Sequence, residues 1–244
     1  MNNYRITVQY DGTRYNGWQK QGNTKNTIQE RFENVLTKMC GTAVEIHASG
    51  RTDAGVHALA QTANFKCQTD MTCNEIMDYL NRYLPEDILV TSVNTAGERF
   101  HSRLNAVSKT YEYKIAVSKP EVFIRKYVFA TDCTPDITKM RSASELFLGT
   151  HDFKGFSSVG KTKKSTVRTV NFIDIEQDNQ IITIRINGNG FLYNMVRIIS
   201  GTLLEIGTGK KDKEIITEIF EHKNREKAGA TLPPCGLKLI EVFY

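Results

Sequence analysis

The sequence predicts an α+β protein made of two halves whose strands form a mainly antiparallel sheet. In the first half, alternating strand patterns and amphipathic helical stripes follow the order strand, helix, strand, strand, helix, strand, which is the order of a split βαβ unit. The second half repeats that order with longer elements. At roughly 150 residues per domain, 244 residues suffice for one large domain or two closely packed halves. We place the halves at residues 1–105 and 106–244, joined near residues 95–110.

Periodicity and caps mark the elements of the first half. Residues 4–10 alternate between apolar and polar side chains, as in a half-buried strand. The spacing of Thr27 and Glu30 is that of a capping box, so a helix is expected to follow. The other expected elements are strands at 43–48, 60–67 and 87–94, a loop at 50–57, and a helix at 74–84 that Pro85 ends.

The second half is expected to begin with a strand over residues 110–117. Thr134 and Pro135 predict the start of a helix that runs through Leu148 and ends at Gly149. The remaining elements are strands at 166–176 and 180–187 that meet in a hairpin at Asp178-Asn179, helices at 191–206 and 212–222, and a strand at 237–244.

Composition excludes several classes of protein. Hydrophobic residues make up 40% and charged residues 24% of the chain, as in ordinary globular proteins. No apolar run approaches the roughly 18 residues of a membrane span, and the first residues lack the apolar core of a secretory signal. The five cysteines are scattered without a C-x-x-C pair, which disfavours a disulfide framework or a structural zinc site. We expect a cytoplasmic protein with no membrane segment.

The positive charge is unevenly distributed. The net charge is +5, and the whole excess falls in residues 106–244. Residues 154–168 hold five cations and no acid. Such a loop either binds phosphates or is simply a solvated surface. The cations are Lys154, Lys161, Lys163, Lys164 and Arg168.

Residues 155–162 match the phosphate-loop pattern G-x-x-x-x-G-K-[ST]. A functional phosphate loop runs from a strand into a helix, whose N-terminal amide groups hold the phosphate. Here the residues that follow, 165–172, are β-branched and alternate as in a strand. The context therefore argues against a nucleotide triphosphatase and a nucleotide cofactor.

The segment 48–58, A-S-G-R-T-D-A-G-V-H-A, is the strongest candidate for chemistry. Gly50 and Gly55 allow an unusual backbone path, and Arg51 and Asp53 lie between them on a predicted loop. An aspartate in a loop is otherwise most often a turn former. The chain offers no rival Ser-His pair or His/Cys cluster, and its five histidines lack metal-ligand spacing.

This segment resembles the signature of the tRNA pseudouridine synthase A (TruA) family. Six further blocks are similar to family blocks and follow the family's order over nearly the whole chain. Ser102 and Leu104 stand where the family pattern has Ala and Phe. The blocks are Y-D-G-T-R-Y-N-G-W-Q-K-Q at 10–21, N-R-Y-L-P-E-D-I at 81–88, F-H-S-R at 100–103, K-T-Y-E-Y at 109–113, N-G-F-L-Y-N-M-V-R at 189–197 and P-P-C-G-L at 233–237.

The resemblance implies a pseudouridine synthase fold, in which two split-βαβ (ferredoxin/RRM-like) halves share a mainly antiparallel sheet with a catalytic cleft between them. It implies isomerisation of uridine to pseudouridine at positions 38, 39 and 40 of the tRNA anticodon stem-loop. Asp53 would be the nucleophile, on C6 of the base or on C1′ of the sugar. Arg197 would pair with Asp53 and keep it ionised, and Tyr111 would stack on the base and relay a proton.

The resemblance also assigns the remaining candidate residues. A base inside a stem must be extruded, and Arg51 would assist by holding the vacated site or the phosphate. Leu237 would form an apolar wall beneath the uracil. Lys161, Lys163, Lys164 and Arg168 would bind the tRNA backbone. The family works as a homodimer on one tRNA, and no metal or organic cofactor is implied.

Two other classes of function remain open. A chain of split βαβ halves with strand-borne tyrosines can bind RNA without catalysis. A cysteine-based uracil modifier such as a methyltransferase is the other possibility. No Gly-rich cofactor loop follows a strand near any cysteine, which argues against that class.

Overall fold

The computed structural model describes residues 1–244, and the chain divides into two compact units. The first unit comprises Met1–Val107 together with Lys238–Tyr244, and the second comprises Ser108–Leu237. The sequence pattern predicts that the last residues belong to the second half. The structure groups them with the first unit because their strand pairs with a strand of that unit.

The secondary structure consists of ten strands and five α-helices, with short 3₁₀ turns between them. The elements that precede residue 108 are β1 (Asn2–Tyr10), α1 (Ile28–Cys40), β2 (Ile46–Ala48), β3 (His57–Cys67), α2 (Cys73–Tyr83) and β4 (Ile88–Ala96). Those that follow are β5 (Ser108–Ala116), β6 (Phe129–Ala130), α3 (Ile137–Ser144), β7 (Gly149–Asp152), β8 (Val167–Asp178), β9 (Ile181–Gly188), α4 (Met195–Gly207), α5 (Ile215–His222) and β10 (Leu237–Phe243).

The sheet of the first unit has the strand order of a split βαβ unit. Strand β1 lies between β4 and β3 and is antiparallel to both, and β2 pairs with β3. Strand β10 adds to β3 in parallel, with Lys238 opposite His57. Helices α1 and α2 contribute fully buried side chains, among them Phe32 and Leu80. The predicted α+β class and the order of elements in this unit are confirmed.

The two helices of the first unit begin at different kinds of cap. The backbone N–H of Glu30 donates to Thr27 Oγ1, but the Glu30 carboxylate pairs with Lys20 Nζ at 3.1 Å instead of returning to the cap. The full reciprocal capping box occurs at α2, where Thr72 and Glu75 exchange both bonds. Both devices satisfy orphan N–H groups at a helix start.

The sheet of the second unit is also mainly antiparallel. Its strand order is β5, β9, β8, β7, and the two-residue β6 pairs with β5 in parallel. Strands β8 and β9 form the predicted hairpin, which turns at Asn179 with a φ of 51°. Helix α4 is almost completely buried, since eleven of its thirteen residues are buried.

Several predicted boundaries are wrong by a few residues, for local reasons. Helix α3 is capped by the Asp136 side chain, which accepts from two backbone N–H groups, and not by Thr134-Pro135. It ends at Ser144, and a 3₁₀ turn follows over Glu145–Phe147. Helix α4 begins at Met195 and not at 191, because Asn194 adopts a left-handed conformation (φ 61°) that a helix cannot contain. Further shifts affect β2, which starts at 46, β3, which starts at 57, and α5, which starts at 215.

The longest α-helices, α1 and α4, contain 13 residues each. None of the helices has both the length and the apolar character needed to cross a membrane.

Candidate active site

Asp53 lies on a loop, residues 49–56, that connects β2 to β3 in the first unit. Main-chain hydrogen bonds fix this loop along its length. The Trp18 N–H donates to the Thr52 carbonyl at 3.0 Å, the Gly55 N–H donates to the Tyr15 carbonyl at 3.2 Å, and the Val56 N–H donates to the Asp53 carbonyl at 3.1 Å. Residues 12–18 therefore act as a template for the backbone path around Asp53.

Two glycines allow the template to approach the loop at backbone distance. A Cβ on Gly17 would lie 2.5 Å from the Thr52 carbonyl oxygen, and Gly17 has a φ of +85°. A Cβ on Gly12 would overlap the Val56 carbonyl oxygen. No larger residue fits either position without displacing the loop.

Buried polar side chains complete the support of the loop. Tyr10 Oη and Thr52 Oγ1 share a hydrogen bond of 2.8 Å, and burial raises the pKa of Tyr10 well above its ordinary value. Ser49 Oγ donates to Gln61 Oε1, while Gln61 Nε2 donates to the Gly50 carbonyl. Because the tyrosine stays neutral and both the oxygen and the nitrogen of the Gln61 side-chain amide are used, the loop is held at three points.

The two charged side chains of the loop have different exposures. Asp53 is half-buried and Arg51 is exposed. Arg51 Nε donates to Gln19 Oε1 at 3.0 Å, which holds the guanidinium beside the template. A partly desolvated carboxylate on a rigid loop is suited to act as a nucleophile, because little reorganisation precedes attack.

Tyr111 lies on β5 of the second unit, opposite Ile186 of β9. Its side chain is 7% exposed, and its ring forms a T-shaped pair with Phe191, with centroids 5.2 Å apart. Phe191 belongs to the segment that precedes α4. The aromatic contact thus fixes the tilt of the Tyr111 ring.

Arg197 lies in the first turn of α4, where two bonds orient its guanidinium. Nε donates to the Leu232 carbonyl at 2.6 Å, and Nη1 donates to Asn194 Oδ1 at 2.7 Å. The left-handed conformation of Asn194 places its side chain next to the helix start. Since the guanidinium is planar, two bonds fix the direction of the whole fork.

Leu237 follows a 3₁₀ turn, Pro234–Gly236, that is anchored on β5. Tyr113 Oη donates to the Pro233 carbonyl at 2.7 Å, and a Cβ on Gly236 would lie 2.7 Å from the Lys114 carbonyl oxygen. Leu237 is 6% exposed. Its position therefore depends on the same strand that carries Tyr111.

The basic loop lies between a 3₁₀ turn at Phe153–Phe156 and the start of β8. Its three lysines, Lys161, Lys163 and Lys164, are exposed. Arg168 is half-buried and donates from Nη1 to the carbonyls of Ser165 and Val167, and this burial lowers its pKa. A strand follows the G-x-x-x-x-G-K-T match, so the helix that a phosphate loop requires is absent.

The residues that hold the candidate side chains in place were not predicted from the sequence. Gly12 and Gly17 lie in the 10–21 block, where two glycines among aromatic residues signal a close backbone approach. Asn194 gives no comparable signal, because its role depends on a left-handed backbone that the sequence does not reveal. The structure brings together no group of three or more His, Cys, Asp or Glu side chains that could hold a metal ion.

Comparison with known proteins decides the family. The family model described as tRNA pseudouridine synthase matches residues 6–105 and 143–244. The chain belongs to the tRNA pseudouridine synthase family. Asp53, Arg197 and Leu237 fall within the matched ranges of this synthase, whereas Tyr111 falls between them.

Close relatives carry the same description over their full length. A tRNA pseudouridine synthase A from Bacillus sp. (strain KSM-64) is 50% identical over 230 residues, covering 94% of each chain. A tRNA pseudouridine synthase A 2 from Bacillus cereus is 43% identical over 100% of both chains, and one from Clostridium tetani is 45% identical over 99% of this chain and 98% of its own. The chain is thus a tRNA pseudouridine synthase, an isomerase that acts on tRNA.

Solved structures give a more distant likeness. One chain of the crystal structure of a Cbf5-Nop10-Gar1 complex aligns with 97% of this chain and 48% of its own, at 12% identity and a TM-score of 0.40. The assignment to the family rests on the sequence relatives.

Gly17→Ala should impair both the fold of the loop and the activity of the synthase. The new Cβ meets the Thr52 carbonyl oxygen, and the positive φ strains alanine, so we expect a loss of unfolding free energy of more than about 1 kcal/mol. Urea unfolding and the rate of pseudouridine formation measure the two effects. Gly22→Ala is the matched control, because nothing lies within 4 Å of its Cβ position. Equal stability and activity of the two variants would contradict the template role of residues 12–18.

Proposed function

We propose that this synthase converts uridines at positions 38, 39 and 40 of the tRNA anticodon stem-loop to pseudouridine, with Asp53 as the nucleophile. The observation that carries the proposal is the half-buried carboxylate of Asp53 on a loop fixed by main-chain bonds. The three positions and a homodimeric state rest on the family resemblance, and a cytoplasmic location rests on the sequence pattern. They extend the activity on tRNA that the relatives establish.

The reaction needs a nucleophile but no external atom. The C1′–N1 bond breaks and a C1′–C5 bond forms, while C5 loses a proton and N1 gains one. A carboxylate can attack C6 of the base or C1′ of the sugar and leave again after the base has rotated. In either route the carboxylate must be ionised and fixed in direction, which a rigid loop provides at low entropic cost.

Arg197, Tyr111 and Leu237 are proposed to act on the same uridine as Asp53. The oriented guanidinium of Arg197 would keep the carboxylate ionised. The fixed ring of Tyr111 offers a π face for the base and a hydroxyl for proton relay. The buried side chain of Leu237 would support the uracil from its apolar face.

Access to a uridine in a stem requires base flipping, which costs a few kcal/mol. Arg51 is proposed to offset part of this cost. Its Nε is held by Gln19, which leaves its two Nη groups available to a phosphate or to the vacated base position. The exposed lysines of the basic loop would add phosphate contacts. The Arg168 guanidinium orders the loop by donating to the backbone carbonyls of Ser165 and Val167.

Asp53→Asn should abolish catalysis and leave tRNA binding nearly unchanged, because the amide keeps the shape of the carboxylate but is not a nucleophile. We expect pseudouridine formation to fall by at least about 10³-fold. Mass mapping of modified tRNA gives both the rate and the modified position. Asp70→Asn, at an exposed loop position, is the control and should retain full activity. An active Asp53→Asn variant would exclude this nucleophile, and modification outside positions 38–40 would exclude the proposed site.

Arg197→Lys should lower kcat by about 10- to 100-fold, since one ammonium group cannot reproduce the fork held by Leu232 and Asn194. KM for tRNA should change by less than about threefold. Arg141→Lys is the control, because Arg141 also donates from Nε to a backbone carbonyl in this unit. Thermal melting separates lost folding from lost rate. A stable variant with unchanged kcat would remove Arg197 from the proposed machinery.

Replacing Lys161, Lys163 and Lys164 together by Gln should weaken tRNA binding and flatten its dependence on salt. Each lost phosphate contact reduces the slope of log K against log salt by about 0.9, so the expected reduction is roughly 2 to 3. Binding titrations between 50 and 200 mM salt would measure it. The control replaces Lys210, Lys211 and Lys213 by Gln, which removes the same charge elsewhere in the unit. An equal slope in both variants would show that only net charge matters.

A further inference from the structure

A run of exposed apolar residues lies between β5 and β6 in the second unit. All seven residues of 121–127, E-V-F-I-R-K-Y, are exposed. Phe123 is 89% exposed and Val122 is 68% exposed. Single exposed apolar side chains are common, but a consecutive run of them usually indicates a binding surface. We refer to residues 119–127 as the apolar-basic turn.

The apolar-basic turn is an ordered structure that is anchored at both ends. It begins just after β5, where the Val117 N–H donates to the Gln180 carbonyl at 2.9 Å. It ends at the buried Val128 and at β6, which pairs with β5. Within the turn, the N–H groups of Ile124 and Arg125 donate to the Glu121 carbonyl. Phe123 is therefore held at the apex of a fixed turn.

The charges around Phe123 are mostly positive. Lys119, Arg125 and Lys126 are exposed and form no ion pair within the chain, and Glu121 is the only acid of the turn. A cationic surface with a projecting aromatic ring is complementary to nucleic acid, because bases stack on the ring while phosphates meet the cations.

We propose that the apolar-basic turn is a further tRNA-binding element, in which Phe123 stacks on an unpaired base and Arg125 and Lys126 contact phosphates. The proposed contact requires only that the chain acts on tRNA. It rests on the proposed function in one respect, which is the position of the modified uridine. A second copy of the chain is the less suitable occupant. The chain carries a net charge of +5, so the cations of the turn are matched better by a polyanion than by a second copy.

The location of Phe123 predicts which kinetic constant it affects. Phe123 is 89% exposed and is not among the residues proposed to act on the target uridine. Its proposed contact is therefore to a base other than the uridine that reacts. A contact made equally in the ground state and the transition state changes KM and leaves kcat unchanged.

Phe123→Ala tests the proposal directly, because the side chain is too exposed to matter for folding. Loss of one stacked base should weaken tRNA binding and raise KM by roughly 5- to 150-fold, with kcat at saturating tRNA unchanged. Phe123→Trp should restore binding. Phe172→Ala, at an exposed position of β8, is the matched control and should bind as the unmodified chain does. Replacing Arg125 and Lys126 by Gln should reduce the salt slope by about 2.

Two outcomes would overturn the proposal. In the first, Phe123→Ala binds tRNA as tightly as the unmodified chain. In the second, sedimentation shows that Phe123→Ala converts a dimer to a monomer, which would identify the turn as a contact between copies. Neither outcome affects the Asp53→Asn result or the mapped position of pseudouridine. The failure of this inference is therefore distinguishable from the failure of the proposed function.

Discussion

The direct contact of two backbone segments is the constraint on which the candidate active site depends. Residues 12–18 meet the loop that carries Asp53 through carbonyl and N–H groups, and no side chain lies between the segments at Gly12 or Gly17. A contact of this kind has little freedom to relax, because both partners are main chain. The backbone position of Asp53 is therefore set by the fold of the first unit, and a bound substrate does not have to organise it.

The second unit fixes its candidate residues in the same manner. A Cβ on Gly201 of α4 would overlap the Ala230 carbonyl oxygen, and one on Gly229 would lie 2.5 Å from the Thr202 backbone nitrogen. This contact holds residues 229–232 against the helix that carries Arg197. The Leu232 carbonyl, which accepts from Arg197, is supplied by that same stretch of chain. In both units, small residues replace side-chain packing where positional accuracy is required.

Sequence patterns predicted the elements better than they predicted the interactions between them. Periodicity located the strands and helices, and the match to known blocks located Asp53 because a family signature is a local pattern. The Glu30 carboxylate was expected to close a capping box, but Lys20 lies close enough to compete for it, which spacing alone cannot show. The late start of α4 follows from the backbone angle of Asn194, which composition does not encode. The template role of Gly12 depends on a contact between residues more than 40 positions apart, which no local pattern contains.

The parallel pairing of β10 with β3 affects how the chain can fold during synthesis. Lys238 lies opposite His57, so about 180 residues separate the two partners, and the entire second unit is inserted between them. A nascent chain cannot complete the first sheet until the ribosome has released the last strand, and contacts this distant in sequence close slowly. Until then β3 has an open edge beside the loop that carries Asp53. Completion of the sheet beside Asp53 is thus a late, post-translational step.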